Sequence, residues 1–136
     1  MSATISVLIG YILWTMLLLL LLASYRTMMV KQHGSLRYSA DGSDVPPFGQ
    51  RLTRAQANCS ESFVLIGGTL LLALATNSAV ITDGLAWVLL AARILQSVTH
   101  VLSTSNLAIQ MRFVFFLIQF GLCGYWLIML ALKFSA

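Results

Sequence analysis

Four apolar runs divide the chain, and the polar residues collect at their ends. Met1 to Tyr25 holds no charge, and Ile5 to Ser24 is apolar enough to cross a hydrocarbon core, which takes about 20 residues. Ser62 to Thr82 is a second uncharged stretch, Gly84 to Leu102 a third apolar one, and Phe113 to Leu132 a fourth without charge. The pattern predicts helices at about 5–30, 52–76, 84–103 and 107–133, one membrane domain covering residues 1–136. Between the first two runs, Gly34, Gly42, Pro46, Pro47 and Gly49 read as breakers, and YSADGSDVPPFG as turns. Part of Thr27 to Gln32 extends the first helix past the membrane surface. Asn77 to Gly84 reads as a short turn, with Asp83 placed to cap the third helix. The Leu-rich end of the first run is featureless all round and so faces lipid.

Composition changes the picture from a soluble domain to a membrane one. Hydrophobic residues make up 59% and charged residues 9%, where a soluble domain carries roughly 25% charged. So short and apolar a chain needs lipid and further copies of itself to cover its surface. The fold class is therefore all-α, a four-transmembrane-helix bundle. The first run is too long for a cleavable signal peptide and lacks a basic leader.

The net charge of +4 has a location. Arg26, Lys31, Arg37, Arg51 and Arg54, five of the eight basic residues, lie between the first two spans. Lys and Arg collect in cytoplasmic loops, so this loop is expected in the cytoplasm and both termini outside. No basic, aromatic-interleaved surface accompanies the charges, and nucleic acid is not an expected partner. Cys59 and Cys123 stand far apart in no metal-ligand spacing, so neither a disulfide framework nor a metal site is expected.

This topology brings the start of helix 2, the end of helix 3 and the start of helix 4 to one end of the bundle. Arg54, Asn58 and Glu61 fall at i, i+4 and i+7 and share a helix face. Arg93, Gln96 and His100 do the same on the third helix, and Arg112 lies early in the fourth. Charges inside a bilayer usually meet a partner or a wet cavity. Glu61 lies seven residues beyond Arg54, about 10 Å deeper, and Arg93 as far before His100. Glu61 and Arg93 are therefore level, and are expected to pair within a subunit or across two. Arginine forks with an amide and a carboxylate suit a small zwitterion bearing more than one carboxylate.

The string RxxRAxxNxxE opening the second span, at Arg51, Arg54, Ala55, Asn58 and Glu61, resembles the signature of the MAPEG family. These are the membrane-associated proteins of eicosanoid and glutathione metabolism. RAQANCSE is especially similar to the leukotriene C4 synthase version, and the pair Ala92-Arg93 and the early Arg112 add to the likeness. The resemblance spans the four-helix layout. It implies a homotrimer binding glutathione between neighbouring subunits near the cytoplasmic face. By position it makes Arg54, Asn58 and Glu61 glutathione contacts, with Arg51 nearby, Arg93 the helix 3 arginine, and Arg112 the residue that stabilises the thiolate. Arg26 matches the arginine at the end of helix 1, and His100 stands where mammalian members carry a tyrosine. The stretch SxTHxLSTSN…RFxFFxxQ looks like a bacterial branch. The function implied is a glutathione-dependent transferase or peroxidase of the bacterial inner membrane. Its lipophilic small-molecule substrate would enter from the bilayer between subunits, against helices 1 and 4. The alternative is a catalytically silent trimeric assembly protein that keeps the fold.

Overall fold

The computed structural model describes residues 1–34 and 46–135. The chain runs α1 (Ala3–His33), α2 (Pro47–Ala75), α3 (Ala79–Asp83), α4 (Ala86–Leu102) and α5 (Asn106–Phe134). Arg37, Gly42 and the turns expected at 38–45 lie outside the described residues. The four expected helices are present, with a single helical turn, α3, where only a connection was expected. α1, α2 and α5 are each long and apolar enough to cross a membrane, and α4 is a shorter apolar helix of 17 residues. At 1.5 Å per residue α4 covers about 26 Å, and the 31-residue α1 about 46 Å. So α1 outruns a hydrocarbon core of about 30 Å and extends through Arg26 to an αL cap at Gly34, whose N–H donates to Val30 O at 2.7 Å.

α2 begins earlier than the breaker reading allows. Pro47 occupies its first turn and Gly49 lies buried inside it. Proline is compatible with a first turn because that N–H has no intrahelical partner anyway. Asp83 also departs from expectation. It ends α3 and does not cap α4, whose N-cap is Leu85 with no side-chain cap bond. Instead Asp83 Oδ1 accepts from Thr4 N at 2.8 Å and from Thr4 Oγ1 at 2.6 Å. A carboxylate at a helix start meets free N–H groups and the positive end of the dipole, so α1 gains the cap. Thr4 and Thr82 hydroxyls lie 2.5 Å apart beside it, and Lys133 Nζ donates to Ser78 Oγ at 2.9 Å. The turn after α2 is thereby tied to both the first and the last helix.

α1 packs along α2, α4 along α5, and α2 crosses against α4. Their common core holds Val7, Tyr11, Leu18, Cys59, Ile66, Leu70, Leu89 and Trp126. Outside it, large apolar side chains are exposed along every long helix, including Leu19, Leu20 and Leu21 of the Leu-rich run and the stacked Phe113, Phe116 and Phe120. This is the surface of a four-helix membrane bundle. α1 and α4 approach closely at Gly10, where a Cβ would sit 2.8 Å from Leu90 Cδ2.

Asp83→Ala should lower stability by about 1–2 kcal/mol, the usual worth of a charged helix cap, and Asp83→Asn should lose less. Thermal unfolding in detergent checks this; equal melting of Asp83→Ala and parent would remove the cap from the account.

Candidate functional site

Helices α2, α4 and α5 enter the same end of the bundle, and a buried polar chain links them there. Arg93 on α4 is only 1% exposed. Its Nε donates to Gln119 Oε1 on α5 at 2.8 Å, and its Nη1 to Asn58 Oδ1 on α2 at 2.7 Å. Gln119 Nε2 donates in turn to Gln96 Oε1 at 2.7 Å and to Phe115 O at 2.9 Å. The fourth side is α1: the Arg93 guanidinium carbon lies 5.9 Å from the centre of the Tyr11 ring, and Tyr11 Oη donates to Cys59 O at 2.6 Å. Guanidinium over a ring face is attractive, more so away from water. One side chain thus holds all four long helices.

Glu61 is not the intrasubunit partner of Arg93. Its carboxylate is exposed, and Arg93 is engaged by neutral amides instead. The level was expected from depth, but depth says nothing of direction around the helix. At 100° per residue Glu61 lies about 140° from the buried stripe of Ala55, Cys59 and Ile66. Arg54 shares that outer face and is exposed, while Asn58 sits half-buried at its edge and turns inward.

The other arginines divide by task. Arg51 Nε donates to Val101 O at 2.8 Å, and its guanidinium carbon lies 6.0 Å from the Phe48 ring centre. A cation at the last carbonyls of α4 suits both hydrogen bonding and dipole, so Arg51 fastens α2 to α4. Tyr25 meets Phe48 edge-on at 5.5 Å, bringing the end of α1 to the same place; Arg26, next along, is half-buried. Ser105 caps α5 by accepting from Ala108 N at 3.2 Å, which sets half-buried Arg112 two turns in.

His100 is the meeting point. It is half-buried in the last turn of α4, and Arg112, Arg93 and Arg54 all lie within electrostatic reach of it. Its Nδ1 is buried and has no partner among the described residues. The structure therefore brings Asn58 and Arg93 into contact, sets Arg112 and His100 at the same end of the bundle, places Arg51 in a fastening role beside them, and leaves Arg54 and Glu61 on the outer face. Such an end can hold an anion and stabilise negative charge on it.

Gln119 and Tyr11 complete the network without having been singled out as site residues. Gln119 did carry a signal, as a lone amide in an otherwise apolar span. Tyr11 carried none, because a tyrosine in an apolar run reads as packing. Cys59 is buried with its Sγ 3.2 Å from Thr15 Oγ1, a packing position.

Replacing Gln119 by Leu should lower stability by about 2 kcal/mol, since it strips a charge-assisted bond from a buried cation. Adding Arg93→Met should cost less than the sum of the single changes. Strict additivity in a double-mutant cycle would dissolve the network.

No curated protein and no solved structure matches the chain. The family model of MAPEG matches residues 4–132, from the first turn of α1 nearly to the end of α5. With the signature at the start of α2, the buried arginine of α4 and Arg112 of α5 all inside that match, the chain belongs to the MAPEG family.

Proposed function

We propose that the protein is a glutathione-dependent membrane transferase or peroxidase acting on lipophilic electrophiles or lipid hydroperoxides. The observation that carries this is that three guanidiniums, of Arg112, Arg93 and Arg54, lie within electrostatic reach of His100 at one end of the bundle, none with a carboxylate partner among the described residues. An unneutralised arginine cluster at one end of an apolar bundle favours an anionic ligand. The family includes glutathione transferases and peroxidases, and glutathione brings two carboxylates and an ionisable thiol.

In this reading Arg54 takes a carboxylate of the tripeptide, Glu61 its ammonium, and Asn58 its backbone through the amide N–H2 that Arg93 leaves free. Arg112 holds the sulfur as thiolate, the form that attacks. The thiolate would displace a leaving group from an electrophilic carbon, or attack the terminal oxygen of a hydroperoxide, breaking the O–O bond to give glutathione sulfenic acid and, with a proton, the alcohol. A second glutathione would then convert the sulfenic acid to disulfide and water. Arg54 and Glu61 lie on the outer face of the protomer, so a neighbouring copy in a homotrimer would close the ligand site. The basic loop would face the cytoplasm of a bacterial inner membrane, as its charge suggests.

The commitment of Arg93 to Asn58 and Gln119 favours a second reading, a silent trimeric assembly protein in which these residues only hold the bundle.

Calorimetry with glutathione on the detergent-purified protein separates the two. Saturable heat is expected, weakened at least about tenfold in Arg54→Ala, the worth of one charged bond. Absence of heat selects the silent reading. Arg112→Ala should lower kcat for conjugation to an aryl halide by about 100-fold or more while glutathione affinity stays close to the parent's. An unchanged kcat would remove Arg112 from the chemistry.

A further inference from the structure

The hydrogen-bond chain around Arg93 has a direction. The two ends of a side-chain amide have nearly the same shape, so a buried amide is oriented by its partners. A guanidinium can only donate. Arg93 Nε therefore requires the oxygen of Gln119, and Nη1 the oxygen of Asn58, at 2.8 and 2.7 Å. With its oxygen committed, Gln119 turns its nitrogen away from Arg93. Both hydrogens are used there, on Gln96 Oε1 at 2.7 Å and on Phe115 O at 2.9 Å. Gln96 Oε1 is then occupied as well, and its own nitrogen points out of the chain. One cation on α4 fixes the orientation of amides on α2, α5 and α4.

Both ends of the chain finish in an N–H2 group. Asn58 Nδ2 and Gln96 Nε2 have no partner among the described residues. The occluded polar atoms without a partner there are Trp14 Nε1, Ser97 Oγ, His100 Nδ1 and Trp126 Nε1, and neither amide nitrogen is among them. Both nitrogens therefore reach the protomer surface, that of Gln96 through a narrow opening, since the residue is only 3% exposed. Asn58 stands at the edge of the face that carries Arg54. Gln96 lies one turn from Arg93 and one from His100, on the same side of α4.

We infer that Arg93 is a positioning residue: acting directly on Asn58, and through Gln119 on Gln96, it makes the site present donors alone at both points. Groups that accept without donating, such as a carboxylate, a thiolate or a peptide carbonyl, are then taken up, and an ammonium or an amide N–H is turned away. An unconstrained amide could rotate to serve either kind of group. Here, inverting Asn58 would set its N–H2 against the guanidinium, and inverting Gln96 would set its N–H2 against that of Gln119. Either leaves a buried donor unpaired, which is costly. Arg93 and Gln119, both buried, thus select the ligand from behind the groups that meet it. The inference rests on the glutathione reading only for which acceptor arrives.

The test compares two replacements of Gln119 in the detergent-purified, full-length protein. Gln119→Glu keeps an oxygen on Arg93 Nε and removes both donors, so Gln96 inverts to donate to the new carboxylate and turns its oxygen outward. Gln119→Leu leaves Gln96 unpinned and able to adopt either orientation. Gln119→Glu should melt above Gln119→Leu, because it gives a buried cation a counter-charge, and yet bind glutathione about tenfold more weakly than it in calorimetry. A merely structural role predicts affinities that follow the melting order, and that result overturns the inference. Asn58→Asp keeps the acceptor for Arg93 and turns an oxygen outward in place of the N–H2. It should melt no lower than Asn58→Ala and bind glutathione at least about tenfold more weakly than the parent; binding at the parent level overturns the inference, and this variant carries the test if Gln119→Glu does not fold. A parent that gives no glutathione heat ends the glutathione reading, and hydrogen exchange of the Gln96 side-chain N–H2, followed by NMR, then decides the present one. Exchange that is fast in the parent and slowed in Gln119→Glu supports the inversion, and equal rates overturn it.

Discussion

The burial of the Arg93 guanidinium among four helices is the constraint on which the remaining structure depends. Removing such a cation from water costs several kcal/mol even after relaxation. Here the cost is met by two amide oxygens and an aromatic face, contributed by α2, α5 and α1. Because each partner comes from a different helix, the bonds form together only at one rotation and one height of every helix. Lipid supplies little hydrophobic drive between helices, so polar contacts and close packing must select the arrangement. The network performs that selection at the end of the bundle where the chain is richest in arginine.

The two ends of the molecule are finished differently, and the difference bears on function. At the far end the charged groups are used up: Asp83 is spent on Thr4, and Lys133 on Ser78. At the basic-loop end, Arg93 and Arg51 are engaged, while Arg54 and Arg112 remain without partners among the described residues. A bundle that needed its charges only for cohesion would have neutralised both ends. The surplus of positive charge lies around His100, which itself has an unfilled hydrogen-bonding position.

Much of this was legible in the residues, and what was not has a common cause. Uncharged run length located the four helices, and helical spacing put Arg93, Gln96 and His100 on one face, where the structure has them. Loop charge and span order brought the starts of α2 and α5 to the end of α4. The departures at Glu61, which does not meet Arg93 within the protomer, and at Asp83 both concern the direction of a side chain around its helix. Axial position follows from counting residues, but rotation follows from which side chains pack best, and that depends on the whole bundle. Asn58, only three residues from Glu61, was the group turned toward Arg93. Thr4 lay next to Asp83 only once α1 had docked. Gln119 fell into place for the same reason, 26 residues from the arginine it serves.

The outward position of Glu61 carries one more step. Arg54 and Glu61 share an exposed face, and Glu61 lies about 10 Å further along α2 by helix rise, at the start of its uncharged run. A carboxylate facing hydrocarbon at that depth costs at least a few kcal/mol. Pairing it with Arg93 would have removed the cost, but Arg93 is held by amides. Snorkelling relieves long cationic side chains, whereas a glutamate is short and has little reach. Relief comes from uptake of a proton or from a polar surface laid against this face, such as a second copy of the chain or a wet ligand site between copies. A lone protomer in lipid would leave an ionised Glu61 without a partner on this face. The exposed charge on α2 thus argues for assembly on physical grounds that do not depend on which thiol, if any, the site holds.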